Sequence, residues 1–70
     1  MAWRSDDMVR LVRALKGELK RHGANHDLYV VPGIDRPVSI PRNRGDLPTG
    51  TANAILRQIG LSAEKARKLL

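Results

Sequence analysis

The two histidines of this 70-residue chain, His22 and His26, are the side chains best suited to move a proton near neutral pH. His26 follows the segment Gly23-Ala24-Asn25 and precedes a β-prone run, which puts it at the mouth of a predicted strand. There its imidazole could take the proton of a ribose 2′-hydroxyl, whose oxygen then attacks the neighbouring phosphate without a metal ion. His26 is therefore the candidate catalytic residue for RNA cleavage.

Both histidines also allow simpler interpretations. His26 has the strand parity of Leu28 and Val30, so it could be a half-buried structural residue. His22 lies four residues before His26, which is the spacing of half a zinc motif on a helix, but the glutamate and the third ligand are missing. The chain has no cysteine, which excludes a thiolate zinc site and a thiol nucleophile. We expect no metal and no cofactor.

Arginines form the second group of chemical interest. Arg42 and Arg44 leave a predicted strand together, in a polar loop between two prolines. Two guanidinium groups at this spacing can both reach phosphate, and Lys20 and Arg21 could join them. Thirteen Lys and Arg residues against seven Asp and Glu give a net charge of +6, which favours nucleic acid as partner before an acidic protein. The simpler alternative is a solvated basic loop.

Aromatic side chains are scarce, with one Trp, one Tyr and no Phe. Proteins that read single-stranded RNA usually stack its bases on such rings, so we expect recognition through phosphates and 2′-hydroxyls instead. Tyr29 is expected to pack inside the protein, and Trp3 to lie at a mobile end.

The elements that must position these residues begin with an amphipathic helix. Ser5 is predicted to cap it, with Asp6 and Asp7 in the first turn, where carboxylates complement the helix dipole. Gly17 either ends this helix or is an interior glycine of a helix that continues to Gly23. The apolar face repeats at spacings of three and four residues over Met8, Leu11, Val12 and Leu15.

A β-hairpin is predicted next. Its strands are Leu28–Val31 and Val38–Ile40, with a turn at 32–35, and the flanking prolines of the second strand favour a short edge strand. There is no repeat and no linker, so residues 1–70 are expected to form a single domain.

Two helices complete the predicted order. One starts at Thr49 or Thr51 and stops at Gly60, and Ser62 caps the other, Ala63–Leu70. A helix, then strands, then helices predict an α+β fold with a small antiparallel sheet against the helices.

The compartment follows from what the composition lacks. No apolar stretch approaches the roughly 20 residues that cross a bilayer, so no membrane segment is expected. Charged Arg4, Asp6 and Asp7 precede any apolar run, which argues against a signal peptide. Because cysteine is absent, we expect a protein of the reducing cytoplasm.

Four segments together resemble the HicA family, small bacterial and archaeal mRNA-cleaving toxins of type II toxin–antitoxin pairs. The segments are Gly23–Val30, Val38–Arg44, Leu47–Thr51 and Ala54–Leu61. The resemblance covers about residues 6–62 and implies a double-stranded-RNA-binding-like fold with the order α-β-β-β-α. It also implies a third strand over 18–22, which makes Gly17 a helix end.

The resemblance extends to the site. The histidine that the family needs for cleavage matches His26, whereas Asn25 and Asn43 stand where serine and a second histidine are common. The family implies mRNA as the substrate and a HicB-like antitoxin that covers the active site. Both would contact the basic patch formed by Lys20, Arg21, Arg42 and Arg44.

Different function classes stay open at this point. The first is a metal-independent endoribonuclease toxin, with His26 as general base or acid. The second is a non-catalytic double-stranded RNA or DNA-binding module of the same shape, and the third is an adaptor domain for an acidic protein. His26 discriminates among them, because a pure binding module needs no imidazole there.

Overall fold

Six helices and strands build the part of the chain that this computed structural model describes, residues 2–42 and 45–70. The strands form one antiparallel sheet in the order β1-β2-β3. The predicted α+β class is confirmed, and so is the additional strand that the family resemblance implied. The elements are α1 (Ser5–Ala14), β1 (Glu18–His22), β2 (His26–Val30), β3 (Val38–Pro41), α2 (Thr49–Gln58) and α3 (Ala63–Leu69).

Helix α1 begins one residue earlier than predicted. Arg4 is the N-cap, and its backbone N–H donates to the Asp7 carboxylate at 3.0 Å. Ser5 is the first helical residue, so its prediction as the cap was wrong. Its hydroxyl instead donates to the carbonyl of Pro41 at 2.5 Å, which ties the start of α1 to the end of β3.

The end of α1 settles the role of Gly17. Leu15 is the C-cap, the Lys16 N–H donates to the Arg13 carbonyl at 3.0 Å, and the Gly17 N–H donates to the Val12 carbonyl at 2.8 Å. This pair of bonds is a Schellman motif, which closes the helix before Gly17. The left-handed residue of the motif is Lys16, with a φ of 68°.

Strand β2 lies in the middle of the sheet, and its side chains alternate between two faces. Asp27 and Tyr29 are buried on the face that the helices cover, so the prediction that Tyr29 packs inside is confirmed. His26, Leu28 and Val30 lie on the opposite face, here called the open face. His26 is exposed there, so its interpretation as a half-buried residue was wrong.

Strand β1 is the edge strand beside β2, and all five of its residues are exposed. Lys20 is an extra residue between Leu19, which lies opposite Tyr29, and Arg21, which lies opposite Leu28. Helices α1 and α2 pack mainly on β3. Most residues of the hairpin of β1 and β2 are therefore exposed to solvent.

The core lies between the sheet and the helices, and it includes the N-terminal segment. Trp3 is buried, its carbonyl accepts the Leu47 N–H at 2.7 Å, and the Arg67 guanidinium lies 4.5 Å from the centre of its ring. The expectation that Trp3 lies at a mobile end was wrong. The largest fully buried side chains are Met8, Leu11, Ile40, Val12 and Val38.

The last two helices follow the predicted signals closely. Helix α2 starts at Thr49, and Gly60 follows its end with a φ of 74°. The Ser62 side chain accepts the Lys65 N–H at 3.2 Å and caps α3, which ends at Leu69. None of the helices in residues 2–42 and 45–70 is long and apolar enough to span a membrane.

Candidate active site

His26 is the first residue of β2 and lies opposite Pro41 of β3. It closes a short turn, because its carbonyl accepts the N–H of Gly23 at 2.7 Å. A Cβ on Gly23 would lie 2.6 Å from that same oxygen, so only glycine allows this close approach. The turn thus presents the exposed imidazole at the end of the hairpin, on the open face.

Asp27 lies beneath this turn and links it to both neighbouring strands. Its carboxylate Oδ1 lies 2.9 Å from Nδ1 of His22 on β1 and 3.5 Å from Nε of Arg42, which follows β3. Because an ionised carboxylate only accepts, Nδ1 of His22 carries the hydrogen of this bond. The Asp27 side chain is only 13% exposed, so its charge is balanced by groups fixed close to it.

Arg42 holds the turn itself. Its Nη2 group donates to the carbonyl of Gly23 and, at 2.8 Å, to the carbonyl of Ala24. Its backbone N–H donates to the carbonyl of Asn25 at 3.0 Å. The Arg42 side chain as a whole is still 45% exposed.

Two of the other predicted basic residues lie on the same hairpin as His26. Arg21 faces Leu28 across the β1–β2 ladder, so its side chain is on the open face with His26. Lys20 is the exposed extra residue of the bulge beside it. Arg44, like Asn43, lies outside the described residues.

The zinc interpretation of the histidine pair loses its geometric basis. His22 and His26 are on two strands and point to opposite faces of the hairpin, rather than to one face of a helix. Within residues 2–42 and 45–70, no three His, Asp or Glu side chains come together as a metal-binding group.

Sequence reasoning missed Asp27 and the contacts of Arg42 with the turn. The available signal was a carboxylate at the strand parity of Tyr29, an inward position where an unpaired charge is costly. The partners of Asp27 could not be predicted, because the residue pattern alone indicated no strand at 18–22. Without that strand, nothing placed His22 opposite Asp27. Asp27 and Arg42 also line a cleft of about 420 Å³ beside Ser5 and Asp6 of α1, on the side away from the open face.

Comparison with known proteins gives one family. A family model described as the HicA toxin of bacterial toxin–antitoxin matches residues 5–61, which is more than half of the chain. No curated protein matches the chain at a significant level. The matched region contains the whole sheet, the turn before His26 and helices α1 and α2.

Proposed function

We propose that this chain, which belongs to the HicA family of bacterial toxin–antitoxin toxins, is an endoribonuclease that cleaves mRNA through His26. The observation that carries the proposal is an exposed imidazole on a tightly hydrogen-bonded turn of a toxin domain. Such a group can exchange protons with solvent-accessible substrate, and no metal ion is needed for this chemistry. The site of action is the cytoplasm, where mRNA is found.

The reaction is a transesterification within the RNA backbone. His26 takes the proton of the ribose 2′-hydroxyl, the 2′-oxygen forms a bond to phosphorus, and the bond from phosphorus to the 5′-oxygen breaks. The products are a 2′,3′-cyclic phosphate and a 5′-hydroxyl, whose oxygen takes its proton from a water molecule. In the alternative role, His26 is the general acid, and its protonated imidazole donates the proton to the leaving 5′-oxygen.

Cations beside His26 would bind the substrate and stabilise the charge that develops on its phosphate. Arg21 shares the open face with His26, Lys20 precedes Arg21 in the bulge, and the half-exposed Arg42 side chain contacts the turn before His26. Arg44 is proposed for the same role from its sequence position, two residues after Arg42. Open access suits a long flexible RNA better than a small substrate that must be enclosed.

The family implies an antitoxin partner, and we infer that it is a HicB-like protein that covers the surroundings of His26. The open face offers Val30, which is 45% exposed and lies opposite Glu18, and Arg21 farther along the same hairpin, opposite Leu28. An inhibitor with apolar side chains and an acidic rim would be complementary to this surface. Such a partner would block RNA by occupying the same cations.

The test uses purified protein and a single-stranded RNA oligonucleotide in the presence of EDTA. We expect cleavage to products with a 2′,3′-cyclic phosphate, and we expect His26→Ala to lower the rate by at least about 100-fold. The variant should keep the thermal unfolding midpoint of the unmodified protein, because His26 is exposed.

An oligonucleotide of the same sequence with 2′-deoxyribose at every position is the matched substrate control, and it should stay intact. Cleavage by His26→Ala at the original rate would remove the assigned residue. RNA that is bound but never cut would instead favour the non-catalytic binding module, and cleavage of the deoxy substrate would exclude attack by the 2′-hydroxyl.

A further inference from the structure

We propose that His22, Asp27 and Arg42 form a brace that fixes the turn before His26 in its reactive position. In this interpretation Arg42 acts mainly as a positioning residue, and its charge toward RNA is the lesser part of its role. The inference rests on the proposed function, because it concerns the orientation of the imidazole that cleaves RNA.

The backbone carbonyls of the turn carry the argument. All four carbonyls from Gly23 to His26 accept a hydrogen bond. Arg42 supplies three of the donors, two from its guanidinium to Gly23 and Ala24 and one from its backbone N–H to Asn25. The fourth donor is the Gly23 N–H, which reaches the His26 carbonyl at 2.7 Å. One arginine therefore determines the path of the chain into His26.

Asp27 in turn determines where the guanidinium lies. Its Oδ1 is 3.5 Å from Nε of Arg42, while Nη2 of the same group reaches the turn carbonyls. The planar guanidinium can satisfy a carboxylate along one edge and carbonyls along another, which an ammonium group cannot do. His22 holds the same Oδ1 from the β1 side at 2.9 Å, so the carboxylate is fixed from two strands.

The location of the turn explains why it needs such a brace. The strand before it, β1, is exposed at every residue, and α1 and α2 pack on β3, at the other edge of the sheet. Tertiary packing therefore contributes little to the order of residues 23–25, which are themselves exposed or half-buried. The hydrogen bonds from the Arg42 side chain to the backbone carbonyls of Gly23 and Ala24 order the turn instead.

A conservative substitution separates positioning from simple charge. Arg42→Lys keeps the positive charge near RNA but loses the fork that spans two carbonyls and a carboxylate. Arg57→Lys on α2 is the matched control, since it makes the same change at an exposed position outside the proposed site. Binding is measured with His26→Ala added to each variant, so that the RNA stays intact.

We expect Arg42→Lys to lower kcat by about tenfold or more, because small misplacements of a catalytic group have effects of this size. KM should stay within about threefold, and the salt dependence of RNA binding should not change, because the charge is kept. Arg57→Lys should match the unmodified protein in all three quantities. A kcat for Arg42→Lys within about twofold of the unmodified protein would overturn the brace. Weaker RNA binding with a normal kcat would also overturn it, in favour of a direct contact between the Arg42 guanidinium and a phosphate.

Two further measurements keep the test independent of folding and of RNA cleavage. If thermal unfolding shows that Arg42→Lys does not fold, Asp27→Asn is used instead, because it keeps the shape of the side chain and removes its charge. The same loss of kcat in Asp27→Asn supports the brace. A normal kcat contradicts it. Amide hydrogen exchange of Gly23 is the second readout, and it should become faster in either variant. If the unmodified protein cuts no RNA, the proposed function fails, while unchanged exchange at Gly23 would still refute the brace on its own.

Discussion

Lys16 and Gly17 show how strongly a single backbone position depends on its residue type. Lys16 has a φ of 68°, a left-handed conformation that costs a residue with a Cβ about 1 kcal/mol. Gly17 needs its missing side chain for a different reason, because a Cβ there would lie 2.4 Å from Cγ1 of Val12 and 2.8 Å from its carbonyl oxygen. The two neighbours therefore respond to substitution in opposite directions.

We expect Lys16→Gly to raise the free energy of unfolding by about 0.5 kcal/mol, because relief of the left-handed strain exceeds the entropy that glycine gains in the unfolded chain. Gly17→Ala should lower the free energy of unfolding by about 2 kcal/mol, because the new methyl group overlaps Val12 and Val31. Urea denaturation followed by circular dichroism measures both. Equal effects of the two substitutions would contradict the assigned geometry of the helix end.

The site residues differ in how far the sequence could predict them. His26 could be singled out from its chemistry, and its interpretation as half-buried failed because the inward parity of β2 belongs to Asp27 and Tyr29. Arg42 could also be recognised as a candidate cation for RNA, but its contact with the turn carbonyls depends on the pairing of β2 with β3. A hydrogen bond between residues 19 positions apart leaves no periodic signal in the sequence.

At the scale of the elements, the hairpin of β1 and β2 is the part that we propose contacts RNA. Arg21 lies on its open face and Lys20 at its bulge, so both charges are free of the helix layer. Exposed cations that neutralise phosphates release counterions, and the affinity for RNA then falls with salt. The number of such contacts can be measured directly.

Replacing Lys20 and Arg21 together by Gln should reduce the slope of log affinity against log salt by about 1.4, since each phosphate contact to a single strand contributes about 0.7. The measurement is RNA binding at several salt concentrations in the His26→Ala background. The control replaces Lys65 and Lys68 on α3 by Gln in the same way, which removes the same charge from an element that packs on α1 and α2. Equal reductions in both proteins would mean that only the net charge of +6 matters.

The same hairpin shows why some elements could be predicted and one could not. Helix α2 and helix α3 carry local signals, Gly60 at one end and Ser62 at the other, that act through their own backbone bonds. Strand β1 has no buried residue, so its sequence shows no alternation of apolar and polar side chains. The family resemblance supplied that strand, and with it the end of α1 before Gly17.

For the whole molecule, the chain segment before α1 joins parts that are distant in sequence. The Trp3 carbonyl binds the Leu47 N–H, the Arg4 backbone forms a bridge with Asp46, and Arg67 of α3 stacks on the indole ring. This segment thus connects the chain at Asp46 and Leu47, which lie between β3 and α2, with the last helix. A local pattern could not reveal this, because both partners of Trp3 lie more than 40 residues away.

Trp3→Ala should therefore lower the free energy of unfolding of the entire domain by about 3 kcal/mol, the usual loss for a buried tryptophan. For 70 residues this is a large share of the total, so the transition should shift to much lower urea concentration while staying cooperative. Leu69→Ala is the control, because this side chain is 46% exposed and its loss should change the free energy of unfolding by less than about 1 kcal/mol. A transition of Trp3→Ala that coincides with that of Leu69→Ala would mean that the N-terminal segment is detached in solution. The predicted separation of the two curves would instead establish that the whole fold, including the exposed hairpin with the candidate site, depends on this distant packing for its stability.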